Sequence, residues 1–483
     1  MKDSTLSKLR EIVSKKNILT DPIHKEAYSY DGTPLLSQLP EAVLFPESAE
    51  QISQILKLAN EEKFSVVPRG SGTGLSGGSI PVENSVVLVL TKWDRIIEID
   101  KENLTAWVEP GLITEKLQIE VEKLGLFYPP DPGSMKICTM GGNVAENAGG
   151  LRGLKYGVTK NYILGLEAVL PNGDFLKTGG KNVKDVSGYN LRDVLIGSEG
   201  TLGIFTKILV KLIPKPNKSI TLTAYFDTLL DSGKAVSDII ASHVVPAMME
   251  FLDHTTINCV EDYTKIGLSR NSESILIIEL DGKGAEVDED AAKVLESLKR
   301  NHSTYVKVAS SETEALILKS ARRSAFSSLA RVKPTTILED ATVPRSELPI
   351  MIEKVKDASK QFGVIIGNFG HAGDGNLHPT CLTDERDTQG INNAHRAFDF
   401  IFNEAIKLGG TITGEHGTGL AKKQFLESVA GSAGIDFMKK IKISMDENNV
   451  LNPGKILTMS PKCEGALPFK REDINNFSHS HSH

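Results

Sequence analysis

The chain has 483 residues, with 55 basic and 62 acidic side chains, a formal net charge of −7 and 40% hydrophobic residues. That balance excludes a disordered chain and, with no basic block, argues against nucleic-acid binding. Four cysteines without C-x-x-C spacing exclude a disulfide scaffold, a cysteine-rich zinc site and an iron–sulfur cluster held by this chain alone.

Residues 4 to 16 read as a short amphipathic helix, with Leu6, Leu9, Ile12 and Val13 on one face. The charged opening has no apolar core of a signal peptide, and no apolar run approaches the ~20 residues of a membrane span. The expected setting is therefore reducing and cytoplasmic, which is compatible with peripheral contact at a membrane. Ser48 begins a capping box with Gln51, and Ile52, Ile55, Leu56 and Ala59 follow at helical spacing. Residues 64–68 read as a strand entering a glycine loop, and 85–90 as a buried strand. Alternating strands and glycine turns continue to about residue 214. After Pro214 and Pro216 the texture changes to strands, as at 274–280, and charged helices, at 286–299 and through the 390s. This is the pattern of an α+β unit with an antiparallel sheet. The Ser-His alternation at 478–483 reads as a mobile tract. By length alone, about three structural units or two larger ones are expected.

The chain holds 42 glycines, above the usual share of about 7%, and they cluster. The run P-R-G-S-G-T-G-L-S-G-G-S at 68–79 frees peptide N–H groups to cradle an anion such as a pyrophosphate. Its internal G-x-G-x-x-G matches the dinucleotide fingerprint only literally, because a β run and no helix follows. The run M-G-G-N-V-A-E-N-A-G-G at 140–150 and the run G-S-E-G-T-L-G-I at 197–204 come next. Either alone could be close backbone packing; the three together point to one extended ligand such as a dinucleotide. Further on, G-H-A-G-D-G-N-L-H at 370–378 places two histidines seven apart, and G-E-H-G-T-G-L follows at 414–420. Two imidazoles and a carboxylate suit zinc or another divalent metal with open positions for substrate. A structural histidine pair remains the alternative, and the spacing does not support a metalloprotease.

The three glycine runs resemble the FAD domain of the vanillyl-alcohol oxidase type flavoproteins. Within that group they are most similar to the branch of D-lactate dehydrogenases, the glycolate oxidase FAD subunit and D-2-hydroxyglutarate dehydrogenase. The resemblance spans roughly 20 to 457. It implies an α+β protein with a two-part FAD-binding domain and an antiparallel-sheet substrate cap. The implied divisions are 1–215 for the FAD-binding domain, 216–410 for the cap, 411–457 for a segment returning to the flavin, and 458–483 for a tail. By the same resemblance Arg69, Gly70, Ser71, Gly72, Thr73, Gly74, Gly77 and Ser79 bind the pyrophosphate. Pro132, Gly141, Gly142, Asn143, Asn147, Gly149 and Gly150 line the cofactor. Glu199 and Ile204 meet its adenine half, Gly203 also binds the cofactor, and Asn452 belongs to the closing motif. The first loop has no histidine for a covalent flavin link, so non-covalent FAD is expected.

The resemblance further implies that His371, His378 and Glu415 hold a divalent metal (zinc, manganese or iron), that His416 is the general base, and that Arg322 binds the substrate carboxylate. The chemistry suits oxidation of a 2-hydroxy acid: a metal lowers the hydroxyl pKa, a neutral imidazole takes the proton, and the flavin takes the hydride. Phe326, Leu338 and Thr380 stand where relatives acting on 2-hydroxyglutarate carry polar groups, which favours a small substrate, D-lactate or glycolate. The electrons then pass to an electron-transfer flavoprotein, a quinone or an iron–sulfur subunit; neither nucleic acid nor a transmembrane segment is expected, and a homodimer is compatible. The rivals are D-2-hydroxyglutarate dehydrogenase, a non-redox FAD synthase on the same scaffold, and a flavin electron-transfer subunit without its own substrate.

Overall fold

Short strands that are apolar along their whole length suit parallel pairing with both faces covered. In the computed structural model, which describes residues 1–458, Ala42–Leu44 and Ser65–Arg69 flank Ser85–Val89 in parallel, with Ile18–Leu19 antiparallel at the edge. Cys463 and the 478–483 tract lie outside the described residues. The helix Ala49–Glu62 packs Ile52, Ile55, Leu56 and Ala59 against this sheet, joined by Leu9 and Val13. Ser48 Oγ accepts from Gln51 N, and Gln51 Oε1 accepts from Glu47 N, so the reciprocal bond falls one residue upstream of the expected box. The first helix, Asp3–Val13, stops short of residue 16 because Ser14 adopts a φ of 67°.

A second, five-stranded antiparallel sheet follows, in the order Ile96–Asp100, Thr105–Val108, Ile204–Lys211, Ile163–Val169, Phe175–Gly179. The helix Met140–Glu146 buries Met140 and Val144 against it, and Thr139 Oγ1 caps it by accepting from Gly142 N. Gly141 and Gly142 therefore form the helix's first turn. At Gly141 an added Cβ would sit 2.7 Å from Pro110 Cβ, so only glycine lets the helix start there. No helix forms between residues 70 and 84, and the literal dinucleotide fingerprint is a loop.

The remaining large sheet is antiparallel throughout. Its order is Tyr305–Val308, Lys218–Phe226, Ser274–Gly282, Met248–Asp253, Ile365–His371, Asn376–Thr383, Thr335–Leu338, and Ala341–Thr342 also pairs with Asn376–Thr383. Helices Leu229–Ala241, Ala285–Arg300, Leu348–Phe362 and Thr388–Lys407 bury one face. The other face packs Met248, Leu252 and Phe369 with Leu151 from the glycine-rich half. The chain finally returns to the first sheet: Val66 N donates to Val450 O, and Asn452 N donates to Val66 O, both at 2.8 Å.

Candidate active site

The glycine loops and the open face of the large sheet enclose a cleft of about 590 Å³. Arg69, Gly70, Ser71, Gly72, Thr73, Gly74 and Ser79 line one end, and Pro132, Gly141, Gly142, Asn143, Gly149, Glu199, Gly203 and Ile204 continue the wall. Gly72 has φ 72°, and an added Cβ would meet the Arg69 guanidinium, whose Nη1 donates to Tyr30 O. Four expected cofactor residues stand behind this wall. Gly77 packs on Leu420, Asn147 ends a helix at φ 52°, and Gly150 abuts the carbonyl of Asp131 at φ 138°. Asn452 Nδ2 donates to Gly78 O and Glu199 O, tying two loops together. Glu199 lines the cleft, but its carboxylate accepts from Thr418 N and Gly419 N, and burial pushes its pKa up to about 7. Glu146, absent from the sequence expectations, also lines the cleft with one buried carboxyl oxygen lacking a hydrogen-bond partner.

At the other end, strand periodicity assembles the polar cluster. Ile365–His371 and Asn376–Thr383 form a hairpin across a 3₁₀ turn, with Phe369 opposite His378. Alternation puts Phe369 and His371 on one face, and the two histidine rings lie 5.0 Å apart. Their Nε2 atoms each stand 3.1 Å from Glu415 Oε1, and His416 Nε2 stands 3.6 Å from the same oxygen. Burial opposes charge on Glu415, yet His371 and the other two rings outweigh it and hold its carboxyl well below the usual range. Burial likewise lowers His378, to about 4. His371 Nδ1 lies 2.6 Å from Glu250 Oε1, which fixes Nδ1 as a donor; burial opposes charge on this ring, but Glu250 and Glu415 outweigh it and hold its pKa well above the ordinary value. Two imidazole nitrogens and a carboxylate whose ligand atoms lie within 4.8 Å of one another fit a divalent cation, which would take the place of the proton on His371 Nε2.

His416 stacks on His378 at 5.0 Å. Asp340, a second residue missed in the sequence, organises its loop: Asp340 Oδ2 accepts from Thr413 Oγ1 and from the backbone N–H of Gly414, Glu415 and His416. Asp340, His378 and His416 form an alternative cluster of ligating geometry. Arg322 is buried and lines the cleft; its Nε is ion-paired with Glu250 Oε2 at 2.5 Å, and its Nη2 has no hydrogen-bond partner. Neighbouring Arg323 instead donates to Asp131 Oδ2 at 2.7 Å. Phe326 and Leu338 line the cleft, whereas Thr380 does not: its hydroxyl donates to His378 O inside the sheet. Glu250 had one sequence signal, a carboxylate within the apolar run 247–252, whereas Asp340 follows Glu339 just after a strand and had none.

A glycine-walled cleft facing histidines, carboxylates and a buried arginine, on this two-sheet-plus-cap fold, defines a flavin-dependent oxidoreductase. Residues 40–179 match the FAD binding domain family, and 215–456 match the C-terminal domain of FAD linked oxidases. The chain is 52% identical over 429 residues to glycolate oxidase subunit GlcD of Bacillus subtilis, covering 89% of this chain and 91% of that one. It is 36% identical to glycolate oxidase subunit GlcD of Escherichia coli K12, covering 96% and 95%, and 33% identical to D-lactate dehydrogenase of Anaerostipes hadrus, covering 93% and 96%. Among solved structures, 4-ethylphenol oxidase from Gulosibacter chungangensis superposes with a TM-score of 0.78 at 18% identity, covering 95% and 98% of the two chains. An alkyldihydroxyacetonephosphate synthase gives 0.72, also at 18% identity, covering 94% and 85%. These two likenesses concern the fold alone, and it is the vanillyl-alcohol oxidase type expected. The chain belongs to the FAD-linked oxidoreductases of the glycolate oxidase and D-lactate dehydrogenase type.

Proposed function

We propose that the chain oxidises a small 2-hydroxy acid, D-lactate or glycolate, to the 2-oxo acid with non-covalently held FAD, and passes the electrons to a partner acceptor. The observation that carries this is the convergence of His371 and His378 Nε2 on Glu415 Oε1, with Arg322 Nη2 unpartnered in the same cleft. Residues 1–215 form the flavin-binding domain, 216–410 the cap, and 411–457 the returning segment. His371, His378 and Glu415 hold the metal (zinc, manganese or iron). Arg322 offers its free N–H groups to the substrate carboxylate, and His416 Nε2 accepts the hydroxyl proton. Held there, FAD would supply the two-electron acceptor for the α-hydrogen and the cation would supply Lewis-acid chemistry toward the substrate. Phe326, Leu338 and Phe369 keep water from the reacting carbon and leave room for a methyl group or hydrogen.

The described cysteines are free and two are buried, so this chain supplies no iron–sulfur relay among its described residues. An electron-transfer flavoprotein, a quinone or an iron–sulfur subunit then takes the electrons; two relatives are named as subunits. A second reading, D-2-hydroxyglutarate as substrate, is favoured by one observation. Arg323 Nη1 is buried on the cleft lining without a hydrogen-bond partner, as a distal carboxylate would need.

Anaerobic mixing with D-lactate, L-lactate, glycolate or D-2-hydroxyglutarate, with and without a chelator, tests these readings. Flavin bleaching by D-lactate or glycolate that a chelator abolishes is expected. Bleaching by D-2-hydroxyglutarate alone selects the second reading. No bleaching with any of them after metal is restored sinks both.

A further inference from the structure

We propose that Glu250 is a positioning residue shared by both halves of the site, one carboxylate fixing Arg322 for the substrate carboxylate and His371 for the metal. The proposal rests on the functional reading above. Glu250 lies mid-strand in Met248–Asp253, between Ser274–Gly282 and Ile365–His371, directly opposite His371 in the register. Met248 and Leu252, two residues to either side, pack into the apolar layer on the same face. A carboxylate at 0% exposure in such a layer is tolerated only when fully paired.

The two oxygens are divided between two duties. Oε1 sits 2.6 Å from His371 Nδ1, the bond that sets the ring's tautomer and aims Nε2 at Glu415. Oε2 sits 2.5 Å from Arg322 Nε in an ion pair outside hydrogen-bond geometry, and the guanidinium lies over the Phe369 ring, 4.8 Å from its centroid. Nη2 is buried without a hydrogen-bond partner, on a residue that lines the cleft. An apolar residue of similar size would satisfy the packing alone. The charge is required because both neighbours are donors that must keep one orientation.

The test uses the full-length, FAD-loaded protein carrying Glu250→Gln, with two affinities measured separately. Zinc affinity is read by competition with a chromophoric chelator. Carboxylate affinity is read in metal-depleted protein by titrating propionate, which lacks the chelating hydroxyl, against the flavin absorbance. Both are expected to weaken, zinc on the order of 10- to 100-fold and propionate by about 10-fold. His371→Ala is expected to weaken zinc alone, and Arg322→Lys propionate alone. Should Glu250→Gln not fold, Glu250→Asp keeps the charge one methylene short and is expected to show both losses at reduced size. A folded Glu250 variant with either affinity unchanged overturns the proposal, since a merely structural role would lower the melting temperature without moving both constants. A wild type that binds neither zinc nor propionate overturns the functional reading and this proposal together. A wild type that binds both, beside an unaffected Glu250 variant, overturns this proposal alone.

Discussion

Asp340 gathers the loop that carries Glu415 and His416 onto a single carboxylate oxygen, through four donors between 2.7 and 3.1 Å. Asp340→Ala removes the acceptor of three backbone N–H groups, on exposed Gly414 and half-buried Glu415 and His416, so the cost of each should lie at or below the low end of the about 1–3 kcal/mol for a buried group. Turnover should fall at least about 10-fold, while Asp340→Asn, which keeps one acceptor oxygen, should retain more; steady-state kinetics separates the two. Asp253 makes a pH prediction. Its Oδ1 accepts from Thr256 N and caps His254–Thr264, while burial raises its pKa from the ordinary 3.8 to about 6. The folded state therefore holds this proton more tightly than the unfolded chain between those values, so stability falls as pH rises through that window. Asp253→Asn keeps the cap and removes the ionisation. It should gain on the order of 1 kcal/mol over wild type at pH 8, discounted for partial solvent contact, with the gain vanishing toward pH 4. Urea denaturation at the two pH values reads it out, and an equal gain at both would refute the assignment.

Among the elements, local chemistry decides where helices begin and where the hairpin turns. Ser48→Ala removes the acceptor for Gln51 N and should destabilise the protein by about 1 kcal/mol in chemical denaturation. The 3₁₀ turn Ala372–Asp374 ends at Gly375, with φ 73° and an added Cβ only 2.1 Å from Val343 O. Gly375→Ala must therefore shift the hairpin that sets the His371–His378 spacing. It should cost at least about 1 kcal/mol and weaken zinc binding in the chelator competition; unchanged zinc affinity would show that the turn does not govern the site. Where sequence periodicity and structure part, the cause is also local, as at Ser14, whose positive φ stops the first helix early.

At the scale of the molecule, the glycine-rich half and the large sheet meet through pairs distant in sequence. Asp131 is paired with Arg323 at 2.7 Å, and Tyr156 Oη donates to Asp281. Asp131→Ala deprives half-buried Arg323 of its counter-charge, and the cost should fall below the about 3–5 kcal/mol of a fully buried pair. A lower melting temperature and faster proteolytic separation of the halves are expected, with easier loss of flavin on gel filtration. Retained flavin and an unaltered proteolytic pattern would show that the pair does not clamp the cleft. No helix among the described residues is long and apolar enough to cross a membrane.

Much of this was legible in the chain itself. Helix caps, buried strands and the three glycine runs follow from neighbours a few residues apart. The glycine excess already pointed to an extended ligand, and His371, His378, Glu415 and His416 were recognisable because their motifs are short and contiguous. Only the tertiary structure separated Gly72, on the cleft wall, from Gly77, Asn147, Gly150 and Asn452 behind it, and turned Thr380 into the sheet. Only it joined Glu250 to Arg322 and His371, Asp340 to the Glu415 loop, and Asp131 to Arg323 across 192 residues of chain. The physical reason is that backbone conformation is a local property, whereas the burial of a charge and the choice of its partner are set by which distant segments pack together.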